Sequence, residues 1–149
     1  MLSFQNAATD ALLFCQTFCN LAEEEGLGCC FLGTTVYMPQ MIIDVLQLPR
    51  LVVPVATITL GWPDEQPALT DRLPLDAIMH EETYCDYTQE RIDRFYAEKE
   101  ALEENREFVR LNGKQTLAQV FTDCRYTRKD NEAMSAGLID VLKKQGFLR

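Results

Sequence analysis

Histidine is almost missing from this chain, with His80 the only one. That excludes a zinc site built on several imidazoles, and no arrangement of nucleophile, histidine and orienting carboxylate stands out as a catalytic triad. Basic residues are also scarce. The chain has 14 Lys and Arg against 23 Asp and Glu, a formal net charge of -9, and no basic block. This argues against a nucleic-acid partner, whose affinity rests on clustered Lys and Arg along the phosphate backbone. A small anionic cofactor needs only one or two local cations and stays open. Long apolar runs are lacking too. The most apolar stretch, Leu51 to Leu60, is interrupted by Pro54 and Thr57 and falls short of the about 20 residues a membrane-spanning helix needs. Met1-Leu2-Ser3-Phe4 has no basic start and no small-residue cleavage site follows an apolar run, so no signal peptide is read and a cytoplasmic protein is expected.

What is present fits an ordinary globular protein. With 149 residues, 47% hydrophobic and 25% charged, the chain is long enough for one domain with its own core. Six cysteines occur, at 15, 19, 29, 30, 85 and 124. With no sign of secretion they are read as reduced thiols, packed as small apolar residues. Cys15 and Cys19 share a helix face, but further ligands at metal-binding spacing are lacking, so no metal site is expected. A bridge between Cys29 and Cys30 would close a strained ring, so that pair is read as strand packing.

Apolar residues at Phe4, Ala7, Ala8, Ala11, Cys15, Phe18 and Ala22 recur at helical period, predicting a helix from Phe4 to Glu25 with Gly26 as its C-cap. Leu12, Leu13, Phe14, Cys19 and Leu21 make that helix apolar nearly all round, which predicts burial on most sides, by a partner chain or by sequence beyond this chain. A short turn-and-strand follows at 28–33 and a helix over Met38 to Leu46 with Pro39 in its first turn. The β-branched run Val52 to Leu60 reads as a buried strand, with Pro54 pointing to an edge or bulge. Gly61 to Leu75 holds three prolines and is a loop. A charged helix is predicted from Thr88, as N-cap, to about Val109, then a short helix over Thr116 to Cys124 and a last one over Arg128 to Gln145. Strands are few, about three on this pattern.

Four stretches, in order, resemble the FMN-dependent nitroreductase family. They are Ala22-Glu23-Glu24-Glu25-Gly26-Leu27-Gly28 running into Cys29-Cys30-Phe31-Leu32-Gly33-Thr34; the strand from Val52 that ends in Gly61-Trp62-Pro63; Arg72-Leu73-Pro74-Leu75; and His80-Glu81-Glu82-Thr83-Tyr84. The last is a His-Glu-x-x-Tyr found in the long-tailed NAD(P)H oxidoreductase branch. The tail, through Leu117-Ala118-Gln119-Val120-Phe121 and Lys143-Lys144-Gln145-Gly146-Phe147, resembles that branch's C-terminal extension more loosely. The match is to the family's C-terminal part. The Arg-Ser-x-Arg segment with which members grip the FMN phosphate and ribityl chain has no counterpart before Phe4.

The resemblance implies an α+β fold, with an antiparallel-dominated sheet flanked by helices, incomplete at the N-terminus. It implies a single partial domain over 1–149, with a core portion at 1–84 and a helical C-terminal extension at 85–149. It implies FMN as cofactor, NADH or NADPH as electron donor, a nitroaromatic or quinone-type acceptor, and a homodimer. The flavin carries the chemistry, so no catalytic side chain is expected. Leu32, Gly33 and Thr34 match the segment along the flavin edge, where a backbone N–H meets flavin N5. Read without the family, Gly33 is first a turn glycine. Arg72 matches the arginine that contacts the FMN phosphate; read without the family, it is a solvated side chain beside Asp71. His80 reads as structural, and Trp62 and Tyr84 as core or interface aromatics. Two rival readings stand beside the enzyme: a flavin-free dimerising remnant or interaction module, and a thiol or metal protein.

Overall fold

Gly26 takes a left-handed backbone, φ 80°, and its N–H and that of Leu27 turn back to the carbonyls of Glu23 and Ala22. This ends the first helix, α1 (Leu2–Glu24), at the predicted glycine. The computed structural model describes residues 1–149 and continues with β1 (Gly28–Leu32), α2 (Pro39–Leu46), β2 (Thr57–Gly61), α3 (Gln89–Ala101), α4 (Glu103–Leu111), α5 (Leu117–Val120) and α6 (Arg128–Lys144). The chain divides into two compact units. One comprises residues 1–66 and 131–149, the other residues 67–130.

In the first unit β1 and β2 pair antiparallel, from Gly28 opposite Gly61 to Leu32 opposite Thr57. The sheet has these two strands and no third. The β-branched run forms a strand only from Thr57, because Pro54 offers no N–H to a ladder and no backbone continues the pairing upstream. Both strands are largely exposed rather than buried. Within this chain alone α1 is covered on one side only. Its inward stripe is Phe4, Ala8, Ala11, Cys15, Cys19 and Ala22; Ala7 and Phe18 of the predicted stripe are exposed, Cys19 turns inward beside the place given to Phe18, and only Cys19 and Ala22 are buried. Phe14, Leu13 and Leu21 stay open to solvent at 71%, 64% and 57% exposure. A two-stranded sheet covers one side of a helix and leaves the others bare.

The C-terminal end closes this unit. Gly146, at φ 87°, turns the chain out of α6, and the Leu51 N–H donates to the Gln145 carbonyl at 2.9 Å. Phe147 meets the Phe4 ring edge-on at 5.4 Å, and its carbonyl accepts from the N-terminal amine. Val141 and Leu142 are buried there.

The second unit is built around Phe95, Ala77, Leu117 and Val120, all buried. Thr88 caps α3 as predicted, its hydroxyl accepting from the Arg91 N–H. The single charged helix predicted to run on to Val109 is instead two. Leu102 is extended at φ −66°, ψ 135°, and separates α3 from α4. Two side-chain bonds lie beside the break. The Asn105 amide donates to the Lys99 carbonyl at 2.8 Å, satisfying an acceptor at the end of α3. The Glu100 carboxylate accepts from the Leu117 N–H at the start of α5. The helix predicted to reach Cys124 is four residues of α-helix followed by a wider π-type turn, Phe121–Arg125.

Candidate functional site

Leu32, Gly33 and Thr34 are contiguous and leave the end of β1. Leu32 is the last paired residue of the strand, opposite Thr57. Thr34 begins a short 3-10 turn, its carbonyl accepting from the Tyr37 N–H at 3.0 Å. The turn is held from below by Thr35, which sequence reasoning passed over. Thr35 is buried, its hydroxyl donates to the Leu32 carbonyl at 3.0 Å, and it pairs with the Thr57 hydroxyl at 2.8 Å. A small polar residue after Leu-Gly-Thr carried no signal by itself; its partner on β2 is 22 residues away.

Gly33 is not demanded by the local fold. Its backbone lies outside the left-handed region that favours glycine, and a side-chain carbon added there would meet no atom of this chain within 4 Å. The turn reading made from the residues alone therefore lacks the conformation that would require it. The glycine leaves a bare stretch of backbone facing open space, a surface that a flat ring fits.

Arg72 lies in the second unit, in a stretch (residues 67–73) that forms no backbone-to-backbone hydrogen bond. Its Nη1 donates to the Thr70 hydroxyl and to the carbonyls of Thr70 and Asp71, all of them uncharged oxygens. Its neighbours differ. Lys99 holds Asp71 at 2.5 Å, and Arg94 holds Asp76 at 3.2 Å. The Asp76, Arg94 and Lys99 side chains line one small cavity with Arg72, and Glu98 lines it too. Arg72 is the cation there that holds no carboxylate, and its Nε and Nη2 make no bond within the chain. A guanidinium edge bonded to no carboxylate suits a phosphate, which takes two parallel N–H donors.

His80 Nδ1 accepts the Cys85 N–H at 3.2 Å, and its ring lies tilted at 39° against Tyr84, centroids 4.8 Å apart. The histidine thus shapes the loop before α3. Trp62 and Tyr84 are exposed, at 78% and 68%, so neither is a core residue in this chain. The cysteines are free, and only Cys19 is buried, which corrects their reading as packed core residues. Burial raises the Cys19 thiol above its ordinary range, helped by the neighbouring Cys29 thiol. A buried thiol of raised pKa is a poor nucleophile.

Residues 3–62 match the model of the nitroreductase family. The FMN reductase [NAD(P)H] of Bacillus subtilis is 31% identical over 140 residues, which is 94% of this chain and 54% of that protein. The chain belongs to the nitroreductase family. An oxygen-insensitive NADPH nitroreductase of Salmonella typhimurium is 27% identical, over 93% of this chain and 55% of that protein. Among solved structures, a Bacteroides fragilis protein shares 60% identity and superposes with a TM-score of 0.94, over all of this chain and 61% of that one. A Bacillus subtilis nitroreductase superposes with a TM-score of 0.74 at 26% identity. This nitroreductase-family chain therefore carries part of that fold, helical with a small antiparallel sheet, and spans about half the length of the curated relatives it matches. No helix in it is long and apolar enough to cross a membrane.

Proposed function

We propose that the chain is part of an FMN-dependent NAD(P)H oxidoreductase that passes hydride through the flavin to nitroaromatic or quinone-type acceptors. The observation that carries this reading is Gly33: a glycine that neither backbone conformation nor packing requires, at the residue matching the flavin edge. When bound, the flavin supplies the redox chemistry, taking hydride from a nicotinamide and giving it to the acceptor. The protein's own part is binding and orientation. Within the first unit Leu32, Gly33 and Thr34 present backbone to a flat ring and Thr35 fixes that turn against β2; within the second, Arg72 offers its open guanidinium edge to a phosphate. In this reading residues 1–84 are the core portion of a partial domain and 85–149 its helical extension. The free cysteines suit a reducing compartment, and we place the protein in the cytoplasm.

The reading includes a homodimer. The support is the apolar surface of α1, where Leu13, Phe14 and Leu21 are exposed and call for cover by a partner chain or by sequence beyond this chain. The same surface favours a second reading, a flavin-free dimerising module. An absorption titration with FMN separates the two. A stoichiometric flavin band, bleached by NADH or NADPH, supports the oxidoreductase. Failure to bind at high FMN leaves the dimerising module, and comparing the two nicotinamides in the same cuvette identifies the donor.

A further inference from the structure

Residues 67–73, which carry Arg72, make no backbone-to-backbone hydrogen bond, so side chains must hold their shape. Two ion pairs flank the arginine. Asp71 is held by Lys99 and Asp76 by Arg94, so that two cations five residues apart on α3 grip two carboxylates five residues apart around Arg72. The pairs are not equal. The Arg94 and Asp76 side chains are each 64% exposed, whereas those of Lys99 and Asp71 are 22% and 34% exposed. An exposed pair is screened by water and salt and contributes little; a half-buried pair is screened less. Lys99 is itself fixed. It lies in the last turn of α3, and its carbonyl is held by the Asn105 amide at 2.8 Å. Asp71 meanwhile accepts the Arg72 guanidinium on its backbone carbonyl at 3.1 Å, so the residue gripped by Lys99 also steadies Arg72.

We propose that Lys99, acting through Asp71, is a positioning residue for the Arg72 phosphate subsite. The inference rests on the flavin reading above and adds to it a residue in the helical segment that follows the Arg-Leu-Pro motif. Lys99 spends its charge on Asp71 and leaves Arg72 aimed and unpaired. Binding of a phosphate-bearing flavin then begins with the arginine already placed, and less freedom is lost on association.

The test uses the 149-residue chain and two ligands that differ by the phosphate, FMN and riboflavin, titrated by quenching of flavin fluorescence. Lys99→Met and Asp71→Asn each break the pair, and Lys99→Arg keeps it. Breaking the pair is expected to weaken FMN about fivefold, the scale of a partly exposed ion pair. Lys99→Arg should stay within about twofold of the parent, and riboflavin should bind all four proteins alike. The two disruptive variants separate positioning from plain charge. If Lys99 met the phosphate directly, removing the Asp71 carboxylate would tighten FMN binding; positioning requires that it weaken it. Tighter FMN binding by Asp71→Asn overturns the proposal, as does an unchanged Lys99→Met or an equal loss of riboflavin. Asp71→Asn also serves if Lys99→Met does not fold. A parent chain that binds no FMN overturns the flavin reading and this inference with it, whereas a binding parent with unaffected variants overturns this inference alone.

Discussion

Replacing Gly33 by alanine should part stability from cofactor binding. The added methyl meets nothing within 4 Å and the backbone is not left-handed, so the folded chain accommodates it without strain. Alanine also narrows the unfolded ensemble, and a substitution of this kind at a compatible site stabilises by roughly 0.4–1 kcal/mol. For a chain of this size that is an increase in Tm of about 1–4 °C. A flavin lying against bare backbone would meet the same methyl, and forced overpacking costs about 1–3 kcal/mol, or about 5-fold to 150-fold in Kd. The expected result is a protein that melts slightly higher and binds FMN at least about fivefold more weakly. Gly146→Ala supplies the control. There φ is 87° and the new carbon would sit 2.8 Å from Arg50 Nη2. The chain should lose about 1–2 kcal/mol, since a left-handed backbone disfavours alanine and the arginine must shift. Differential scanning calorimetry and FMN titration on the same preparations give both readouts. A Gly33→Ala protein that binds FMN like the parent would refute the assignment of Gly33 to the flavin surface. A clear loss of Tm would show that the fold itself needs the glycine.

Three further outcomes are expected. Thr35→Val keeps the shape of a buried side chain but removes the hydroxyl that serves Leu32 and Thr57; it should cost about 1–2 kcal/mol in urea unfolding, and a neutral result would mean that water replaces the bond. Lys114 holds Asp123 at 2.9 Å, and this bond, with a second from Thr122, keeps the Asp123 carboxyl below the usual carboxylate range. Because its folded pKa is depressed, the stabilisation is complete above the unfolded pKa and is lost as pH falls through the folded value. Thermal melts taken down through the acid range should therefore show a smaller loss for Asp123→Asn than for the parent, and parallel curves would count against the pair. Phe14→Glu changes a residue 71% exposed on α1, so it should alter monomer stability by only about 0.5 kcal/mol or less. It should shift sedimentation toward monomer if α1 is a subunit contact; an unchanged oligomer would remove α1 from that interface.

Helix periods and caps were legible because they are local. The stripe from Phe4 to Ala22, the stop at Gly26 and the cap at Thr88 depend on residues within a turn or two of each other. The motif order around Gly33 and Arg72 was legible in another way, as a resemblance that the family match over residues 3–62 and the relatives bear out for the chain. The break at Leu102 was not legible. No glycine or proline marks it, and of the side-chain bonds beside it the one from the Leu117 N–H to Glu100 comes from 17 residues away. The strand from Val52 was drawn too long because β-propensity says nothing about whether a neighbouring strand is there to pair with.

By itself, then, the sequence determined where the helices run, that the chain has nitroreductase ancestry, and which glycine and arginine to inspect, since periodicity, capping and motif order are properties of the chain. Only the tertiary structure decided that Gly33 is free of any demand of its own fold, that Arg72 is the unpaired cation in its cavity, and that Lys99 reaches back across 28 residues to grip Asp71. Each of these depends on what stands next to a residue in space, which the chain acquires by folding.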